Sequence, residues 1–278
     1  MKIRDILVHM DANPNCRRRL DAAVGLAAEH DAHLIGLYVI AEPKFPGYVE
    51  VELPVDLLKI QEEQIAAAAA ETEKTFNEVS GAAGITAEWR CVDGDPADML
   101  TDQARYVDLI ILGQDEHNAG MGGAVSDIPD HVVLTAGRPV MVIPENFAGG
   151  DIGKRVMIGW DGGQMATRAV HDALPILEKA DEVAVMIVNP KDRRRGNGDL
   201  PGADVAHHLA RHGVHAKADH VTTTDVSVGD QLLSRAADMR ADLLVTGAYG
   251  HARWKELILG GVTRQLLDSM PVPVLMSH

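Results

Sequence analysis

The chain has 278 residues, 46% of them hydrophobic and 4% aromatic, with a formal net charge of -15 and two cysteines. That length suits one large or two ordinary domains around an aliphatic core, and the charge argues against nonspecific binding to nucleic acid or an anionic membrane, since both would repel it. No apolar run reaches membrane-spanning length, Cys16 and Cys91 form no CxxC pair, and Met1 to Val8 enters a strand pattern without a signal-peptide signature; a cytoplasmic protein without a disulfide framework or zinc site is expected.

In chain order, apolar runs of buried-strand type fall near residues 3–10, 33–40, 85–92, 108–113 and 139–143. Between them lie helical patterns, with Leu20, Ala23, Val24 and Ala27 on one face and a long helix from about Pro54 to Val79. The Gly-containing segment Pro144 to Gly150 reads as a connector. Strand patterns then resume near 154–160, 182–188, 215–221, 242–247 and 272–276, and Lys255 to Met270 has helical spacing at Ile258, Val262, Leu266 and Met270. Strands alternating with helices imply a parallel sheet covered on both faces, because right-handed crossovers place helices on each side.

The two halves repeat one plan. Val107-Asp-Leu-Ile-Ile-Leu-Gly113 matches Ala241-Asp-Leu-Leu-Val-Thr-Gly247, Gly94-Asp95 answers Gly229-Asp230, and Pro139 falls in register with Pro273. The copies are 150 residues apart from Asp11 to Asp161 but 134 apart from Gly113 to Gly247, so the second is shorter in between. The expectation is two tandem doubly wound α/β domains, residues 1–148 and 151–278, each a five-stranded parallel sheet of order 3-2-1-4-5 flanked by helices. Each ends in an apolar strand that needs cover, so the halves should pair about a pseudo-two-fold axis. In such sheets ligands settle beyond the carboxyl ends of the strands where the order reverses, here between strands one and four. Asp161 and Gly247 then face each other across one crevice.

At that crevice stands Gly247-Ala-Tyr-Gly250, followed by Gly260-Gly261-Val262-Thr263. Glycine lets the backbone come close to a bulky anion, and the start of the next helix offers N–H donors, so strand, glycine loop and helix form a phosphate-site context. Glycines also close tight turns, and both readings stand on the pattern alone.

These residues resemble the universal stress protein family in tandem form, over nearly the whole chain. Its nucleotide-binding members carry G-x2-G-x9-G-(S/T) after strand four, an Asp ending strand one and a hydrophobic residue near the end of strand two. Gly247, Gly250, Gly260 and Asp161 match, Ile187 is the nearest candidate on strand two, and Gly261 stands where the hydroxyl residue is expected. The resemblance implies that Asp161 reads the adenine edge or ribose, that Ile187 offers main-chain contacts to the base, and that the glycines cradle phosphates. The Gly261 amide, Val262 at the helix start and the Thr263 hydroxyl would make up for the lost side chain. The implied ligand is ATP or a related adenine nucleotide, with or without magnesium; the implied partner is an unidentified protein in a stress response. The halves would form an intramolecular pair, or the whole chain a homodimer. The alternatives are a nucleotide-free tandem scaffold for protein contacts and a weak ATP hydrolase.

The first copy keeps Gly113 but has Glu116 for the second glycine and Ser126-Asp127 for Gly260-Gly261. Like charges within about 4 Å cost on the order of 1 to 4 kcal/mol each even with solvent screening, enough to oppose a triphosphate. A cation bridging Asp115, Glu116 or Asp127 to phosphate is the way around this. Asp161 could also serve as a helix cap. Arg253, Lys255 and the run Lys191 to Arg195 read as solvated surface. His208 and His212 are spaced i, i+4 but lack the third and fourth ligands of a zinc site. No Ser-His-Asp order or SGGxDS-like loop suggests catalysis, since Trp160-Asp-Gly-Gly163 follows the first strand of the second copy.

Overall fold

The computed structural model describes residues 2–41, 55–114, 128–190, 201–249 and 261–278. The first half runs β1 (Asp5–Met10), α1 (Cys16–His30), β2 (His33–Ile40), α2 (Val55–Ala83), β3 (Ala87–Asp93), α3 (Pro96–Ala104), β4 (Leu109–Gly113), α4 (Ile128–Thr135) and β5 (Val140–Ile143). The second runs β6 (Arg155–Gly159), α5 (Gln164–Leu177), β7 (Glu182–Val188), α6 (Ala203–Arg211), β8 (Ala216–Val221), α7 (Val228–Asp238), β9 (Leu243–Gly247), α8 (Gly261–Ser269) and β10 (Val274–Ser277). The strands fall within a residue or two of the expected runs; in the central strands burial on both faces writes a continuous aliphatic signal, whereas the edge strands β3 and β8 are largely exposed rather than buried.

Within each half all pairings are parallel in the order 3-2-1-4-5. The halves do more than pack: β5 and β10 pair antiparallel, Val142 opposite Val274 and Met141 opposite Leu275, giving one ten-stranded sheet of order β3-β2-β1-β4-β5-β10-β9-β6-β7-β8. The expected pairing of two sheets is thus an edge-to-edge join. It removes two apolar edges at once, since Val140, Met141, Val142, Val274, Leu275 and Met276 are all buried.

Strand residues alternate between two cores. Ile6, Val8 and Met10 face one core with Leu20 of α1, Phe76 of α2, Val170 of α5 and Val205 of α6. Leu7, Ile110 and Leu112 face the other with Leu100 of α3, Val132 of α4, Leu232 of α7 and Leu266 of α8. Local chemistry sets the helix ends: Asp95 accepts from the Ala97 amide ahead of α3, with Pro96 opening the helix, and Ser227 accepts from the Asp230 amide ahead of α7. Because β5 and β10 run in opposite directions, the ligand end of each half borders the amino-terminal end of the other half's sheet.

Candidate functional site

Both halves build the same turn after their first strand. In the second, Asp161 Oδ1 accepts from the Gly163 amide at 2.7 Å; in the first, Asp11 Oδ1 accepts from the Asn13 amide at 3.1 Å. This two-residue reach is an Asx turn. Asp161 therefore does not cap α5 directly, whose N-cap is Gly163, and its exposed carboxylate has no cation paired to it among the described residues.

In the first half the second carboxylate oxygen is taken. Arg19 of α1, 5% exposed, places Nη2 2.9 Å from Asp11 Oδ2. The approach is off the N–H direction, so it is an ion pair rather than an aligned hydrogen bond, and Nε has no hydrogen-bond partner among the described residues. Burial alone would raise the Asp11 carboxyl, but Arg19 prevails and holds it below the usual range. Burial opposes the charge on Arg19 as well, and Asp11 again prevails and raises the guanidinium. His9 beside them is pushed down to about 4, first by burial and then by Arg19. The cluster borders a cavity of about 200 Å³ reaching Gly113, Gln114 and Glu145. A Cβ on Gly113 would lie 2.4 Å from Arg19 Nη1, so the guanidinium fills the space between the ends of β1 and β4.

Sequence reasoning did not find Arg19. Its signal was present: Arg19 lies three residues after Cys16 and four before Ala23, on the buried stripe of α1. In the second half Ala169 stands at the same offset from Arg19 as Asp161 from Asp11, and it is fully buried. Among the described residues no guanidinium closes that crevice.

The remaining residues of the second-half crevice are placed as follows. Gly247 ends β9, and a Cβ there would lie 2.4 Å from the Ala166 nitrogen and 2.5 Å from the Met165 carbonyl carbon. Its missing side chain is explained by the close approach of α5. Gly261 opens α8 with open space around its Cβ direction. Val262 is exposed, whereas Thr263 is buried, and its Oγ1 accepts from the Tyr249 amide at 3.2 Å. Gly250 and Gly260 lie outside the described residues, as do Asp115, Glu116, Ser126, Asp127, Arg253, Lys255 and Lys191 to Arg195.

On β7, Ile187 is buried and its side chain packs beneath Gly202. The Trp160 amide donates to the Met186 carbonyl at 2.9 Å and the Asn189 amide to the Val221 carbonyl at 2.8 Å. By alternation along a strand, the backbone groups of Ile187 face β8 while those of Val188 face β6, one step past its last ladder bond. Val188 is thus the strand-two residue whose main chain points over the crevice.

Tyr249 links the halves. Its φ of 55° is left-handed, its hydroxyl donates to Asp130 Oδ1 at the start of α4, and its ring meets that of His278 edge-on. At the other end of α8, Gln114 Nε2 donates to the carbonyls of Leu267 at 2.7 Å and Asp268 at 3.2 Å.

Among the described residues no group of three His, Cys, Asp or Glu could hold a metal, the His208 and His212 pair included. No helix among them is long and apolar enough to cross a membrane.

The sequence profile described as the universal stress protein family matches residues 2–144 and again 153–278. Universal stress protein Slr1230 of Synechocystis is 26% identical over 182 residues, which cover 64% of this chain and 60% of that protein, so the match spans under two thirds of the relative's length. A universal stress protein from Archaeoglobus fulgidus has the same fold, with a TM-score of 0.77 at 18% identity over 100% of this chain and 99% of that one. A Pseudomonas aeruginosa protein of unknown function superposes with a TM-score of 0.60 at 15% identity, covering 99% of this chain and 92% of that one. Because the family pattern covers nearly all of the chain in two successive copies, with one fold under both, the chain belongs to the universal stress protein family in tandem form.

Proposed function

We propose that this chain binds one adenine nucleotide, ATP, ADP or AMP, in the crevice of its second half, and that binding biases association with a protein partner in a stress response. The observation that carries the reading is the contrast between two otherwise matched turns: Asp11 is closed by a buried arginine, while Asp161 keeps the turn without the arginine. In this reading Asp161 takes the ribose hydroxyls or adenine edge, and the main chain of Val188, next to Ile187, reads the base. The amides of Gly261 and Val262 at the start of α8 receive phosphate, with Gly247, Gly250 and Gly260 shaping the approach. Thr263 ties the loop to the helix. Magnesium accompanying ATP would be held by the phosphates themselves.

The first half is then a partner domain rather than a second site. Its ion pair occupies the crevice, and separating a buried pair to admit a ligand is costly because each charge would be left uncompensated. Isothermal titration with ATP should give a stoichiometry near one per chain. A value of two refutes the silence of the first half.

A nucleotide-free scaffold is the second reading, favoured by one observation: close packing against α5 accounts for Gly247 without any ligand. Acid release and chromatography of small molecules co-purifying with the chain separate the two. Absence of both a released nucleotide and a titration signal would favour the scaffold.

A further inference from the structure

Tyr249 occupies a backbone conformation that side-chain-bearing residues avoid, and such a residue persists only where its surroundings hold it. Among the described residues three contacts do so. Its amide is bonded to Thr263 in the first turn of α8, its ring rests against that of the C-terminal His278, and its hydroxyl reaches across to Asp130 of the other half. The His278 ring in turn lies 3.2 Å from the Ala248 carbonyl. The far end of the same helix is bonded to Gln114, again a residue of the first half. Thus α8, nine residues long, is bonded at its far end directly by the first half and linked at its start to that half through Tyr249.

We infer that Tyr249 and Asp130 are positioning residues: through them the first half sets where the start of α8 lies relative to β9, and so sets affinity for the phosphate end of a bound nucleotide. This rests on the nucleotide reading above. Backbone donors at a helix start act on an anion only within hydrogen-bond reach, so a small shift of that turn is felt by phosphate and not by the base. A hydroxyl donating to a carboxylate is among the stronger hydrogen bonds, and its partner Asp130 is half-buried in the first turn of α4. The silent half would thereby act on a ligand it does not touch.

The test uses the full chain as parent, Tyr249→Phe, Asp130→Ala and the double variant, each titrated with ATP and with adenosine. ATP affinity should fall about tenfold in each single variant, the scale of one charge-assisted hydrogen bond, with no further loss in the double and no change for adenosine. A purely structural role predicts otherwise, because general loosening weakens both ligands together. Equal losses for ATP and adenosine, losses that multiply in the double variant, or unchanged ATP binding would each overturn the inference. Tyr249→Phe keeps the ring packing and carries the test even if Asp130→Ala does not fold. A parent that binds neither ligand defeats the nucleotide reading and this inference together, whereas a binding parent with unaffected variants defeats this inference alone.

Discussion

Replacing His9 by Gln should make the fold less sensitive to mild acid. His9 lies at the end of β1, 7% exposed, and burial followed by the Arg19 charge lowers its pKa from 6.5 to about 4, with Asp11 opposing. A histidine whose pKa is lower folded than unfolded is neutral in the native state while the unfolded chain takes up a proton. Stability therefore falls as pH drops through about 6.5 and stops falling near 4. The full gap corresponds to about 3 kcal/mol, and the part between pH 7 and pH 5 to about 2 kcal/mol. Asp11 has the opposite linkage: its lowered pKa stabilises the fold above the unfolded carboxyl range, and that contribution is lost only as pH falls below it. It lies outside this window. Urea unfolding of the parent and His9→Gln at pH 7, 6 and 5 should show the parent losing about 2 kcal/mol more than the variant, whatever constant offset the substitution adds. Parallel losses would mean that water or a proton reaches His9 in the native state, and that the Arg19 ion pair does not close the first-half crevice.

Gly247→Ala should destabilise the chain by roughly 2 kcal/mol or more in thermal melts, because the added carbon meets backbone of α5, whereas Gly261→Ala meets nothing and should be neutral or stabilising by about 0.5 to 1 kcal/mol; equal effects would contradict the packing role of Gly247. Asp161→Ala should weaken ATP binding at little cost in stability, while Asp11→Ala should leave ATP stoichiometry unchanged and cost about 3 to 5 kcal/mol by stranding the buried Arg19; urea unfolding and titration of the two variants check both halves of that contrast. Residues 1–148 and 151–278 expressed apart should associate on mixing or be insoluble alone, since each would expose the edge of β5 or β10. Two stable halves that ignore each other in gel filtration would show that the joined sheet is not needed for folding.

Much of this protein was legible in the order of its residues. Ile110 to Leu112 and Leu243 to Val245 announce strands because burial on both faces leaves no polar residue, a property of a few adjacent positions. Repetition of those runs, with Pro139 and Pro273 in step, announced two copies of one fold. The place of the crevice followed, since strand order at the reversal is a rule of topology. Other features depend on residues far apart in the chain. That β5 meets β10 edge to edge is a choice between two ways of covering the same apolar strand, and both satisfy the local pattern. The role of Arg19 is hidden in the sequence because its partner, Asp11, and the backbone it shields, Gly113, come together only when α1 is laid over β1 and β4. That Gly247 also packs against α5 is visible only once that helix is laid beside β9. Which of Ile187 and Val188 turns its backbone to the crevice depends on where the β6 ladder stops, at Trp160 and Met186. The strap from Tyr249 to Asp130 spans two halves that run in opposite directions, and only their joining across β5 and β10 brings that hydroxyl and that carboxylate within reach.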